Sequence, residues 1–192
     1  MDIGIEGLII ISILILFAFL SYSVFFDDNL EKVKSTVDNN TYLVQNKEDS
    51  LGAANLIATI RSKLDLLMEN LEKTHPSDDP RIVMLKKNYN PNRFKEGDEN
   101  SGYTSYSINK GEQIVLCLRN KNKLVDINTM MFVVLHEFAH LATKSIGHTD
   151  EFWDNFKWIL EESINIGIYI KADYNKKAVE YCGMKITTTP LN

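Results

Sequence analysis

A five-residue segment, HEFAH at positions 136–140, constrains the fold of this chain more than any other feature. It lies in an apolar stretch from about Thr129 to Lys144 that has the periodicity of a buried helix. Residues four apart lie one turn above each other, so His136 and His140 point to one place and Glu137 leaves the helix on an adjacent bearing. On a buried helix these groups carry a heavy desolvation cost unless they have a partner. The segment therefore predicts a helix that holds a metal ion, rather than two ordinary buried histidines.

The pattern H-E-x-x-H is typical of zinc sites in which the glutamate acts as general base. A catalytic zinc needs three protein ligands and an open fourth position. His148 is the favoured third ligand, because Gly147 can end the helix and turn the chain back towards the metal. Three carboxylates remain alternatives for that position: Glu161, Glu162 and Asp150. The sequence thus predicts a Zn²⁺ site formed by His136, His140 and His148, with Glu137 as the base.

Periodicity predicts further elements around this helix. Apolar residues at alternating spacings of four and three predict an amphipathic helix from about Ala53 to Leu71. Two strands, from Tyr103 to Ile108 and from Gln113 to Arg119, are separated by a glycine-containing turn and predict a hairpin. A second helix begins after Thr149, which is a suitable N-cap. The tail, residues 171–192, is expected to return as a strand or an ordered extension.

The N-terminal part of the chain contains nineteen uncharged, mainly apolar residues from Leu8 to Phe26. A run of this length can cross the hydrocarbon core of a membrane as a helix. A cleaved signal peptide is the alternative, but the segment before the run lacks the usual positive charge. We expect a short tail over residues 1–7, a retained anchor over 8–26, a polar tether over 27–50 and one domain over 51–192.

The orientation of this anchor follows from the basic residues near it. Lys32 and Lys34 follow the run, and no lysine or arginine precedes it. Cytoplasmic flanks carry the excess of positive charge in membrane proteins. The sequence therefore predicts a single-pass protein whose domain faces the cytoplasm, in a virion or host membrane.

The amino-acid composition argues against several other classes of protein. The 192 residues are 44% hydrophobic and 24% charged, values near those of ordinary folded domains. The net charge is −5 and the basic residues are scattered, so no nucleic-acid partner is expected. Cys117 and Cys182 are far apart and form no C-x-x-C pattern, which argues against a disulfide framework or a zinc finger. They are expected to be two buried thiols in a reducing compartment.

The run HEFAHLATKSIGHTDEFW resembles the metal-binding region of the WLM, SprT-like and related small zinc metalloproteases. Phe152 and Trp153 follow His148 as that pattern requires, and the resemblance extends from about Ile114 to Leu160. It implies an α+β fold, a small zincin-like domain that is mostly helical with a small sheet, as in WLM-type proteins of large DNA viruses. One departure is that seven residues separate the second and third histidines, where five are expected in most WLM chains. Nothing that matches the DNA-binding parts of the crosslink-repair members is visible.

These features together predict a membrane-anchored zinc metallopeptidase that hydrolyses a protein or peptide substrate by a zinc-activated water. The predicted strand from Gln113 to Arg119 resembles the edge strand on which zincins bind an extended substrate. Four side chains are candidates for stabilising the oxyanion: Tyr103, Tyr106, Arg119 and Tyr181. The alternatives are an interaction protein, for example a component of a viral particle, that keeps a zinc-binding fold for stability, or hydrolysis of a non-peptide amide.

Overall fold

A computed structural model of the chain describes residues 29–97, 104–109 and 111–191. Four helices run through these residues: α1 Ser50–Thr74, α2 Pro80–Asn88, α3 Ile127–Ala142 and α4 Asp150–Asn165. The strands of the same residues are β1 Leu30–Lys34, β2 Thr41–Gln45, β3 Phe94–Glu96, β4 Tyr106–Ile108, β5 Gln113–Leu116, β6 Arg119–Asn120, β7 Lys123–Leu124, β8 Val179–Tyr181 and β9 Met184–Ile186. The expected mixture of α and β elements is confirmed.

The amphipathic helix predicted around residues 53–71 is α1, and its predicted apolar face is the centre of the core. Every residue of that face is fully buried: Ala53, Ile57, Ile60, Leu64, Leu67 and Leu71. These side chains pack in one cluster with the apolar residues of α3 and α4. Helix α2 was not predicted from the sequence. It begins at Pro80, with the Asp79 carboxylate accepting a hydrogen bond from the backbone of Arg81.

The segment predicted as a polar tether differs in the structure, because β1 and β2 form an antiparallel hairpin within it. Tyr42 and Val44 are the buried apolar residues of β2, and they alternate along the strand so that both join the core. Asn55 of α1 accepts hydrogen bonds from the Ser35 hydroxyl and the Thr36 amide, each at 2.9 Å, and so ties the hairpin to the helix. Much of residues 27–50 therefore belongs to the folded domain.

The predicted membrane anchor, Leu8–Phe26, lies outside the described residues. Within residues 29–97, 104–109 and 111–191, no helix combines the length and the apolar character needed to span a bilayer.

The predicted hairpin is confirmed as the antiparallel pair β4 and β5. Gly111 in its turn has φ +98°, and a Cβ there would lie 2.4 Å from the Asn88 carbonyl oxygen, so the turn requires glycine. The sheet order is β3-β5-β4, with β3 parallel to β5. The strand expected to offer an edge to substrate, β5, is thus central, and that expectation is wrong. Among the described residues, β4 lies at one end of this sheet and contacts α3.

The two cysteines are joined in the structure, against the prediction of two free thiols. Cys117 and Cys182 form a disulfide with their Cα atoms 6.4 Å apart. Sequence spacing alone cannot show that residues 65 positions apart meet in space. The bond links the end of β5 to the antiparallel hairpin of β8 and β9, which confirms the expectation that the tail returns as a strand.

Candidate metal centre

The metal helix α3 begins at Ile127, two residues before the predicted start. Asp126 is its N-cap, and its carboxylate accepts a hydrogen bond of 3.0 Å from the Thr129 amide. The helix ends at Ala142, two residues before the predicted end, and Thr143 caps it with its hydroxyl donating to the Ala139 carbonyl at 2.7 Å. Most of α3 is buried, so the H-E-x-x-H segment lies inside the domain, with the histidines at the border of a cleft.

Three histidines converge at that border. One ring nitrogen from each of His136, His140 and His148 lies within 4.8 Å of the others. The Nε2 atoms of His136 and His148 are 3.0 Å apart. Two ligands at the usual Zn–N distance of a tetrahedral ion would be about 3.3 Å apart, so the spacing of this group fits such an ion. Three histidines of the described chain could therefore hold a metal ion.

Aromatic packing fixes two of the rings. Phe152 is fully buried and stacks on His140 with ring centroids 4.3 Å apart. The His136 ring meets Phe152 and Phe156 edge-on, at 4.8 and 5.2 Å. Burial in this apolar surrounding, followed by the influence of His140 and His148, lowers the pKa of His136 to about 3. His136 is therefore neutral at pH 7, which is the form that binds a metal ion.

The loop that carries His148 is held by the first turn of α4. The Glu151 carboxylate accepts hydrogen bonds from the backbone N–H groups of Lys144 and Ser145, each at 3.0 Å. Thr149 is the N-cap of α4, as predicted, and accepts from the Phe152 amide. Gly147, with φ +83°, turns the chain immediately before His148. The loop therefore brings His148 back to the helix even though seven residues separate it from the second histidine.

The alternative third ligands lie elsewhere. Glu162 faces His75, with 3.5 Å between its carboxylate and Nε2, on the far side of α4. Glu161 and Asp150 are exposed, and neither belongs to the group of potential ligand atoms found in the described part of the chain. The structure brings His148, and none of these carboxylates, to the other two histidines.

Glu137 points into the domain beside the histidines and is 7% exposed. Burial raises its pKa to about 7, and hydrogen bonds from the hydroxyl and the backbone of Ser107 oppose that rise. A base with a pKa near the working pH is suited to taking and returning a proton. Ser107 lies on β4, at one end of the described sheet. It was not predicted as a site residue, because a lone serine in a strand carries no sequence signal.

The structure places the candidate oxyanion-stabilising side chains in different environments. Arg119 is buried against Glu96 and also contacts Asp49 at 2.6 Å, so it belongs to a structural ion-pair cluster. Tyr103 lies outside the described residues. Tyr106 on β4 lines the cleft.

Tyr181 also lines the cleft, but its hydroxyl proton is committed. It donates to the Cys117 carbonyl at 2.9 Å and lies 2.5 Å from the Ser105 hydroxyl, which in turn accepts from the Cys117 amide at 3.0 Å. This closed ring of hydrogen bonds makes Tyr181 a structural member of the cleft wall and argues against an oxyanion role.

The three histidines and Glu137 open into one cleft of about 840 Å³. Its floor is α3, one side is β4, the other sides are the loop before α4, α4 itself and the hairpin of β8 and β9. β4 lies at one end of the described sheet, and the backbone N–H of its Ser107 donates to Glu137. The cleft thus joins a metal-binding group, a buried base and the end strand of a sheet.

An H-E-x-x-H helix with a third histidine from the following loop, set beside a small sheet, defines the class of zincin-like domains. Within that class the chain belongs to the WLM family of metalloproteases: the WLM domain matches residues 82–190.

Relatives occur in large DNA viruses. The chain is 34% identical over 188 residues to an uncharacterized protein of Acanthamoeba polyphaga mimivirus, covering 93% of this chain and 95% of the relative. It is 29% identical over 159 residues to an uncharacterized protein of Invertebrate iridescent virus 6, covering 78% and 85%. Among solved structures, Wss1 from Saccharomyces cerevisiae aligns with a TM-score of 0.49 and 20% identity, over 64% of this chain and 86% of that chain.

Proposed function

We propose that this protein is a zinc-dependent metallopeptidase. The observation that carries the proposal is the convergence of three histidine nitrogens within 4.8 Å beside a buried Glu137, at the floor of an open cleft. A structural zinc site has no need of a base, whereas a hydrolytic site requires one.

Zn²⁺ suits the donor set, which consists of three imidazoles and no thiolate. When bound, the ion supplies Lewis-acid activation of water and polarisation of the scissile carbonyl. Membership of a family of zinc metalloproteases supports the same metal.

Each protein group then has a task of its own. His136, His140 and His148 hold the ion. Glu137 takes a proton from the attacking water and passes it to the leaving amine nitrogen, with a pKa near neutrality that suits both transfers. β4 forms one side of the cleft, and Ser107 on that strand holds the Glu137 carboxylate.

We also propose that Leu8–Phe26 anchors the protein in a membrane, on the basis of its length and lack of charge. Two features of the chain favour opposite orientations of the domain relative to the membrane. Lys32 and Lys34 favour a cytoplasmic domain. The disulfide is typical of an oxidising compartment. Protease protection in sealed vesicles of native orientation separates them: digestion from outside is expected for a cytoplasmic domain, and protection for a lumenal one.

The proposed activity is tested with the full chain, purified in a mild detergent because of its apolar segment. We expect one zinc per chain and cleavage of unfolded casein that stops on chelation and returns on addition of Zn²⁺. Glu137→Gln should keep the zinc and lose cleavage by about 10²- to 10⁴-fold, the usual contribution of a general base. If zinc binds but Glu137→Gln behaves as the wild type on a broad peptide library, the protein is an interaction module that retains the fold, and the hydrolase proposal fails.

A further inference from the structure

Large apolar side chains are exposed around the mouth of the cleft. Ile146, in the loop before His148, is 89% exposed, which is the highest value for a large apolar side chain in the described part of the chain. Met184 of β9 and Trp153 of α4 also line the cleft, and they are 47% and 42% exposed. We call these three residues the apolar rim. Exposed apolar surface gathered around a cleft is typical of a binding site.

The cleft wall is also nearly free of charge. Apart from the histidines and Glu137, Lys185 is the one charged residue among the described residues that line it. The chain as a whole is 24% charged, so the cleft differs from the average composition. The rest of the wall is apolar or carries only hydroxyl and amide groups, for example Phe132, Thr187 and Thr188. Charged side chains of a substrate would lose hydration there, and among the described residues outside the metal centre only Lys185 carries a charge that could pair with them.

The apolar rim lies close to the metal centre. The ring centroids of Trp153 and His148 are 5.7 Å apart. An extended chain advances about 3.3 Å per residue. A substrate side chain that contacts Trp153 therefore belongs to a residue within about two positions of the bond next to the metal.

We propose that the apolar rim selects extended, uncharged segments with a bulky apolar residue within about two positions of the scissile bond. Ile146 is the main determinant of this specificity. Such segments are buried in folded proteins and exposed in unfolded ones, so the substrate class is unfolded or unstructured chain. The inference rests on the proposed function, since it names the substrate class of the same cleft.

Binding can be measured without hydrolysis in the Glu137→Gln variant of the full chain, loaded with Zn²⁺. The probes are capped nine-residue peptides of Gly, Ser and Thr whose central residue is Leu or Asp. The chain has two tryptophans, and Trp158 lies beneath the Arg81 guanidinium, 4.0 Å away and outside the cleft, so emission changes report on Trp153. The Leu peptide should bind about 10- to 100-fold more tightly than the Asp peptide, as expected for burial of one leucine side chain.

The variant Ile146→Ser tests whether Ile146 determines this substrate specificity. The side chain is almost fully exposed, so its loss should leave folding unchanged. The matched control is Ile170→Ser, which removes an isoleucine that is 74% exposed and does not line the cleft. We expect Ile146→Ser to weaken binding of the Leu peptide about 3- to 10-fold while the Asp peptide is unaffected, and Ile170→Ser to change neither.

Three outcomes separate this inference from the proposed function. Selective binding with no hydrolysis by the wild type supports the apolar rim as the site of selection and refutes the peptidase. Hydrolysis of Leu and Asp peptides at equal rates refutes the inference and supports the peptidase. Equal effects of Ile146→Ser and Ile170→Ser overturn the role of Ile146.

Discussion

Removal of the disulfide should destabilise the domain strongly while leaving the metal centre intact. The variant replaces Cys117 and Cys182 by serine together, because chemical reduction would release two thiols that can bind zinc themselves. The bond closes a loop with a sequence separation of 65 residues, which contains α3, α4 and all three histidines of the metal centre.

The magnitude follows from the length of that loop. A cross-link removes conformational entropy from the unfolded chain by an amount that grows with the logarithm of the loop length. For 65 residues, this entropy corresponds to a loss of about 4 kcal/mol at 25 °C in the double serine variant. In a domain of this size, such a loss lowers Tm by roughly 8–16 °C.

Urea unfolding at pH 7, followed by circular dichroism, measures the change on zinc-free protein. The variant should unfold with a larger m-value as well, because its unfolded chain is more expanded. Zinc stoichiometry at native conditions should remain that of the wild type, since neither sulfur belongs to the histidine group. A decrease in the free energy of unfolding of less than about 1 kcal/mol would refute the cross-link as a source of stability. Loss of zinc from the folded variant would show that the metal centre depends on the disulfide.

Three further changes test other contacts. Glu151→Gln weakens two hydrogen bonds to the loop of His148 and should lower zinc affinity about 10-fold or more, measured by competition with a chromophoric chelator. Asp79→Asn should cost about 2 kcal/mol at pH 7, because hydrogen bonds from its arginine partner depress the pKa of Asp79 to about 2. The wild-type advantage is present above pH 4 and lost as the pH falls from about 4 to about 2, so urea unfolding at pH 7 and 2.5 should differ in this effect. Glu96→Gln leaves Arg119 without its buried carboxylate and should cost about 3 kcal/mol in the same unfolding assay.

Local patterns made three of the four described helices predictable. The face of α1 repeats with the helical period, and the caps Asp126 and Thr149 are residues whose side chains bind backbone amides nearby in sequence. The β1–β2 hairpin was missed because its polar residues are so frequent that only Tyr42 and Val44 mark the buried face. Helix α2 was missed because its short apolar face, Ile82 and Leu85, gives too little periodicity.

The candidate site likewise contains residues that the sequence could predict and residues that it could not. His136, Glu137 and His140 share one helical turn, so their proximity follows from spacing alone. The partners that orient them come from distant parts of the chain: Ser107 reaches Glu137 from the edge strand. Glu151 is close in sequence to His148, but a glutamate in the first turn of a helix is already explained by the helix dipole. Its contacts with the loop backbone therefore required coordinates.

If Leu8–Phe26 anchors the protein as proposed, the N-terminal hairpin limits the distance of the cleft from the membrane. The apolar run ends at Phe26 and β1 begins at Leu30, so three residues join them. Three extended residues cover about 10 Å, whereas the 24 residues expected as a tether would have covered roughly 80 Å. With the proposed anchor ending at Phe26, so short a linker would hold the domain close to the lipid headgroups. Its encounters are then those of lateral diffusion, with chains that emerge from, or are delivered to, the same bilayer.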